Sequence, residues 1–203
     1  MAIQATRIRR IVSAISLTIF SIFAANPLAL GQAQQNLPQR VLIIRHGEKS
    51  PDDKVVHLNA EGKERAEQLY LLFKASASRP DPLPTPDFIF AAKDSKHSHR
   101  SVETVTPLAK KLKLTVNSNY ADADYAKLAQ EILQNRRYAG KTILICWHHG
   151  MAPNLANQLR AVAAPGHWKG SVFDRVWQIT YEMNGKTAFQ DLPQHLLKSD
   201  SDK

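Results

Sequence analysis

Short apolar runs and stretches with helical spacing alternate from about residue 40 to residue 193, and this alternation limits the fold more than any other feature of the chain. Val41-Leu42-Ile43-Ile44 reads as a buried strand spanning Arg40 to Arg45. Asn59 can cap a helix running to about Ala75, with Ala66, Leu69, Tyr70 and Phe73 on one face. The four prolines between Arg79 and Pro86 mark a loop. Asp87 to Ala92 reads as the second strand, and a helix is expected from about Ser98 to Leu112. Leu114 to Val116 is a short strand, Asp122 to Arg137 a helix, and Lys141 to Trp147 the third apolar strand. Pro153 fits the first turn of another helix, where its missing N–H is tolerated. Val176 to Tyr181 alternates strictly, Asn184-Gly185 offers a hairpin turn, and Thr187 to Leu192 returns. The expected fold class is α/β: a three-layer sandwich with a mostly parallel central sheet, helices on both faces, and a C-terminal antiparallel hairpin at the edge.

The amino-terminal segment has a different character. Arg7, Arg9 and Arg10 precede an uncharged apolar stretch from Ile11 to Ala25, which Asn26-Pro27 breaks. Ala29-Leu30-Gly31 places small residues where a signal peptidase reads them, and Gly31-Gln32-Ala33 does so again. Residues 1–31 are therefore expected to be a secretory signal peptide, cleaved near Gly31 or Ala33. The apolar core of about 15 residues is short of the ~20 that a spanning helix needs, and a retained anchor is the alternative. The expected organisation is a polar lead at 32–39, one domain at 40–193 and a polar tail at 194–203, in the periplasm or secreted. With the signal peptide removed, no stable membrane partner is expected.

The formal charge of +9 falls to +6 once the three arginines of the leader are set aside, which favours anionic partners. The lysines are scattered and not interleaved with aromatics, so a nucleic-acid groove is not expected. The single cysteine, Cys146, lies in an apolar run, which excludes an internal disulfide and suits a small buried side chain.

Three strands end in basic or imidazole groups. The first ends in Arg45-His46-Gly47, the second is followed by Lys93, Lys96, His97, His99 and Arg100, and the third ends in Trp147-His148-His149-Gly150. In a parallel sheet these ends share one edge, where open α/β sheets build their ligand sites. A guanidinium beside a potential imidazole nucleophile suits a phosphate ester.

Arg45-His46-Gly47-Glu48 resembles the Arg-His-Gly motif of the histidine phosphatase superfamily, also called the phosphoglycerate mutase-like fold. Leu58-Asn59-Ala60-Glu61-Gly62 with Arg65, Ala66 and Leu69 is similar to the helix start that follows it in that family. Arg100-Ser101-Val102-Glu103-Thr104, continuing to Pro107-Leu108-Ala109, resembles the second-arginine helix. Cys146-Trp147-His148-His149-Gly150 and Pro153 stand where the second histidine is found. These blocks run in family order from about Val41 to Tyr181.

The resemblance implies an exported phosphomonoesterase that works without metal or cofactor on a small-molecule phosphate ester. His46 would be the nucleophile, with Arg45, Arg100 and Gly47 forming the phosphoryl site and Lys49 touching substrate. A second histidine would donate to the phosphoryl oxygens in the transition state. His149 precedes Gly150 and lies four residues before Pro153, which favours it; counting along the strand from Ile143 favours His148. The first reading is preferred.

No proton donor to the leaving alcohol stands out among Glu48, Glu103, Asp52, Asp122, Asp124 and His148. That gap supports an alternative in which the fold is kept as a phosphate-binding or regulatory module with little or no turnover. The chain resembles the acid phosphatase and phytase form of the motif up to Lys49, where those have arginine, and it lacks their His-Asp pair. His97 and His99 could chelate zinc with His148 and His149, but Lys93, Lys96 and Arg100 would repel a divalent cation, so no metal is expected.

Overall fold

The computed structural model describes residues 37–201, and the expected signal peptide lies outside the described residues. Six strands form one mixed sheet: β1 (Arg40–Arg45), β2 (Phe88–Ala91), β3 (Val116–Asn117), β4 (Thr142–Trp147), β5 (Arg175–Tyr181) and β6 (Thr187–Pro193). Their order across the sheet is β3-β2-β4-β1-β5-β6. The first four run parallel, and β5 and β6 add an antiparallel edge. β1 and β4 are almost wholly buried, as unbroken apolar runs covered on both faces must be.

Alternation along β1 sends successive side chains to opposite faces and so divides the core. Leu42 and Ile44 pack with Leu69, Leu72, Val105 and Leu108, under α1 (Ala60–Gln68) and α2 (Arg100–Leu112). Val41 and Ile43 pack with Leu128, Ile132, Leu155 and Trp177, under α3 (Tyr125–Gln134) and α4 (Ala152–Gln158). The three-layer α/β sandwich is thus present, with its terminal hairpin at the sheet edge.

Several boundaries differ from expectation for local reasons. The helix capped by Asn59 is α-helical only to Gln68 and tightens into a 3₁₀ turn over Leu69–Phe73. Leu69 and Leu72 are fully buried, and a spacing of three lines both up on one face of a 3₁₀ helix. The expected helix from Asp122 to Arg137 begins as a 3₁₀ turn over Asp122–Asp124. It breaks at Asn135, whose side chain accepts from the Arg137 N–H at 3.1 Å. The segment after Pro193, polar in composition, folds back onto the domain. Gln194 is fully buried, and Asp200 accepts from Arg65 Nη2 at 2.6 Å.

Candidate active site

The carboxyl ends of β1 and β4 adjoin, because the parallel register pairs Arg45 with Trp147. One residue further, the His46 N–H donates to the Trp147 carbonyl at 3.3 Å. The same register sets His46 opposite His148, and their rings meet edge-on with centroids 5.3 Å apart and planes at 67°.

His46 is 2% exposed. Its Nδ1 lies 2.7 Å from the Gly47 carbonyl oxygen. A carbonyl only accepts, so Nδ1 carries the hydrogen and Nε2 keeps its lone pair. Burial, aided by the charges of Arg45 and Arg100 and by His148, pushes the His46 pKa down to about 2. The imidazole is therefore neutral throughout the physiological range.

Gly47 lets this bond form beside a close backbone crossing. A Cβ there would meet the Gly62 carbonyl oxygen at 2.9 Å, inside van der Waals contact. The Gly47 N–H donates to Thr104 Oγ1 at 2.9 Å, and that hydroxyl donates to the Arg100 carbonyl at 2.7 Å. Thr104 thereby ties the end of β1 to the start of α2.

Arg45 is buried, and Nη1 donates to the carbonyls of Gly170 at 2.6 Å and Val172 at 3.0 Å. Its guanidinium carbon lies 3.7 Å from the centre of the Phe173 ring. Arg100, the first residue of α2, donates from Nη1 to the Val55 carbonyl at 3.0 Å. The Nε atoms of Arg45 and Arg100 are both buried without a hydrogen-bond partner among the described residues. Burial and the neighbouring Arg100 lower the Arg45 pKa to about 10, and burial lowers that of Arg100. Two guanidinium groups with unpartnered Nε donors, close enough to His46 for their charges to lower its pKa, suit a small anion.

His148 is held largely neutral as well, its pKa pushed to about 4 by burial and by Arg100, His149 and Arg45. His149 points elsewhere: its Nε2 lies 3.4 Å from where a Gly170 Cβ would stand, and its Nδ1 is buried without a partner. The geometry thus favours His148 over His149 as the histidine beside His46, against the preference drawn from the distance to Pro153. Lys49 reaches Asp53 at 2.6 Å on the loop beyond the site. His99 pairs with Asp94 at 3.1 Å and stacks on His57 with centroids 5.1 Å apart. Among the described residues, no group of three or more His, Cys, Asp or Glu is placed to hold a metal ion.

The carboxylates nearest in sequence are already engaged. Glu48 receives Arg65 Nη2 at 2.5 Å and Nε at 3.0 Å, while Arg65 also reaches Asp200 and Gln194. Burial alone would lower the Arg65 pKa, but the bonds to Glu48 and Asp200 more than reverse that. Glu103 is bonded to His57 and to the Leu58 N–H. Asp122 differs, because its Oδ1 is buried without a partner and burial raises its pKa to about 6. Cys146 is fully buried with its thiol pushed up to about 12, the state of a packed side chain rather than a nucleophile.

Phe173 and the carbonyls of Gly170 and Val172 were not singled out from the sequence, and Thr104 was named in the second-arginine block without a role. Arg65 was named in the helix start but given no role; it lies on the stripe formed by Gly62, Ala66 and Leu69, where a charge signals a buried ion pair.

No protein-family model matches the chain, and no curated protein matches it in sequence. Solved structures do match. A mycobacterial glucosyl-3-phosphoglycerate phosphatase in complex with inorganic phosphate superposes with a TM-score of 0.51 at 13% identity, over 75% of this chain and 95% of that one. Phosphoserine phosphatase from Entamoeba histolytica, in complex with 3-phosphoglyceric acid, gives 0.52 at 14% identity over 78% and 99%. Phosphoglycerate mutase from Bacillus anthracis gives 0.51 at 13% identity over 78% and 94%. The fold is therefore the phosphoglycerate mutase-like fold that these structures share.

Proposed function

We propose that this protein is a phosphomonoesterase that hydrolyses a small phosphate ester through a phosphohistidine on His46. The observation that carries the reading is the neutral His46 ring beside two buried guanidinium groups with unpartnered donors. Nε2 attacks phosphorus, the bond to the leaving oxygen breaks, and that oxygen takes a proton from an acid in the site. Water then attacks the phosphohistidine, releases inorganic phosphate and returns the proton. Arg45 and Arg100 hold the non-bridging oxygens, and they supply the positive charge that a metal provides elsewhere. His148 donates to the same oxygens as charge grows on them. The phosphatases among the structures of this fold support the reaction class.

Export completes the reading: residues 1–31 would be removed and the domain would act in the periplasm or outside the cell. Amino-terminal sequencing of the mature protein tests this, and retention of Met1 would overturn it.

A phosphate-binding module without turnover is the second reading, favoured by the engagement of both Glu48 and Glu103 in other bonds. Aryl phosphate hydrolysis separates the two. The enzyme should release phosphate steadily and yield an acid-labile phosphoprotein on rapid quenching, and His46→Ala should do neither. Full turnover by His46→Ala would refute the mechanism; phosphate binding without turnover by the wild type would favour the module.

A further inference from the structure

We infer that Glu103 is a positioning residue for Arg100, acting through the loop Val55–Leu58. This rests on the phosphatase reading, in which Arg100 grips the phosphoryl group.

Four consecutive residues of that loop touch the start of α2. The Val55 carbonyl takes Arg100 Nη1 at 3.0 Å, and the Val56 carbonyl takes the His99 N–H at 3.0 Å. His57 Nδ1 pairs with Glu103 Oε1, and the Leu58 N–H donates to Glu103 Oε2 at 2.9 Å. Both carboxylate oxygens are therefore spent on the loop. Glu103 lies one helical turn beyond Arg100, so a single helix carries both the grip and the part that holds its support.

The loop's other bonds are the Val55 N–H to the Asp52 carbonyl at 3.0 Å, within the same exposed stretch, and a bridge between Leu58 and Lys49. Residues 51–55 and His57 are exposed, and apolar packing contributes little there. Val55 supplies a hydrogen-bond acceptor to the Arg100 guanidinium, whose Nε has none among the described residues. The direction in which that guanidinium points thus depends on where the Val55 carbonyl sits. Glu103 fixes that position two and three residues further along the chain.

A proton-donor role for Glu103 fits poorly. Burial works to raise its pKa, but the hydrogen bonds from His57 and Leu58 overrule it and keep the carboxyl ionised. A donor would also have to leave two bonds that close the loop.

The test is a double-mutant cycle read by calorimetric binding of inorganic phosphate, alongside kcat and KM for an aryl phosphate. Glu103→Ala should weaken phosphate binding about tenfold in the wild-type background, and should have no further effect in Arg100→Ala, as expected of coupled groups. Glu103→Gln keeps an acceptor for the Leu58 N–H and should recover most of the loss; Glu103→Met, which removes both acceptors but keeps the length of the side chain and its helix propensity, replaces Glu103→Ala in the cycle if the alanine variant does not fold. An equal weakening in both backgrounds, or none in either, overturns the positioning role while leaving the phosphatase reading intact. A wild-type protein that neither binds phosphate nor turns over overturns both.

Discussion

The rings of His46 and His148 meet edge to face, 5.3 Å apart, because the register that pairs Arg45 with Trp147 continues one residue past the ends of the two strands. The pair places one neutral imidazole against another at the bottom of a cationic site. Removing His148 should therefore cost transition-state contacts that His149 does not make. His148→Ala should lose on the order of 10²–10³ in kcat, the usual cost of one preorganised donor. His149→Ala should lose less than about tenfold, since its ring is directed to Gly170. Steady-state hydrolysis of an aryl phosphate ranks the two, and the reverse order would sink the assignment.

Acid should destabilise the protein in a predictable window. His46 and His148 have folded pKa values of about 2 and about 4, below the ordinary 6.5. The unfolded chain then binds protons that the folded one refuses, so their contribution is intact above pH ~6.5 and falls as pH drops towards the folded values. The slope approaches about 1.4 kcal/mol per pH unit for each such histidine. Urea denaturation between pH 7.5 and pH 4.5 measures it, and His46→Gln should flatten the curve. An unchanged slope in that variant would contradict the buried neutral state.

Arg65, with 2% of its side chain exposed, depends on Glu48 and Asp200 together. Removing one partner of a buried ion pair typically costs about 3–5 kcal/mol. Asp200→Ala should fall in that range by denaturant titration, far above an ordinary surface substitution. A loss below about 1 kcal/mol would mean that the cluster is looser than its distances indicate.

Asp122 should be a stability liability at neutral pH. Burial raises its folded pKa from 3.8 to about 6, so the folded form is favoured while the group is protonated. That benefit is lost as pH rises through about 6, where the buried group must ionise. Asp122→Asn stays neutral and should raise Tm at pH 7.5, with the gain shrinking towards pH 4. A Tm gain independent of pH would point to a cause other than ionisation.

The framework was legible because β1 and β4 are unbroken apolar runs, and those two strands lead directly into His46 and His148. Asn59 and Pro153 likewise marked helix starts by chemistry that acts locally, as a cap and as a residue without an N–H. The identity of the histidine beside His46 was left between two readings, of which the count along the strand pointed to His148. It depends on the register between β1 and β4, a property of two segments about a hundred residues apart, while Pro153 reports only on the helix that follows. Phe173 and the carbonyls of Gly170 and Val172 were missed for a related reason. Backbone acceptors and a lone aromatic in a loop have no pattern until the loop is brought over Arg45.

The Arg65 cluster has a consequence for biosynthesis. Glu48 follows His46 by two residues, yet the arginine that braces it takes its second carboxylate from Asp200. During translation the first and last parts of this scaffold are separated by the synthesis of some 150 residues. Arg65 is therefore fully paired only after the segment carrying Asp200 has been made, and a truncation before Asp200 would leave it buried with Glu48 as its one carboxylate.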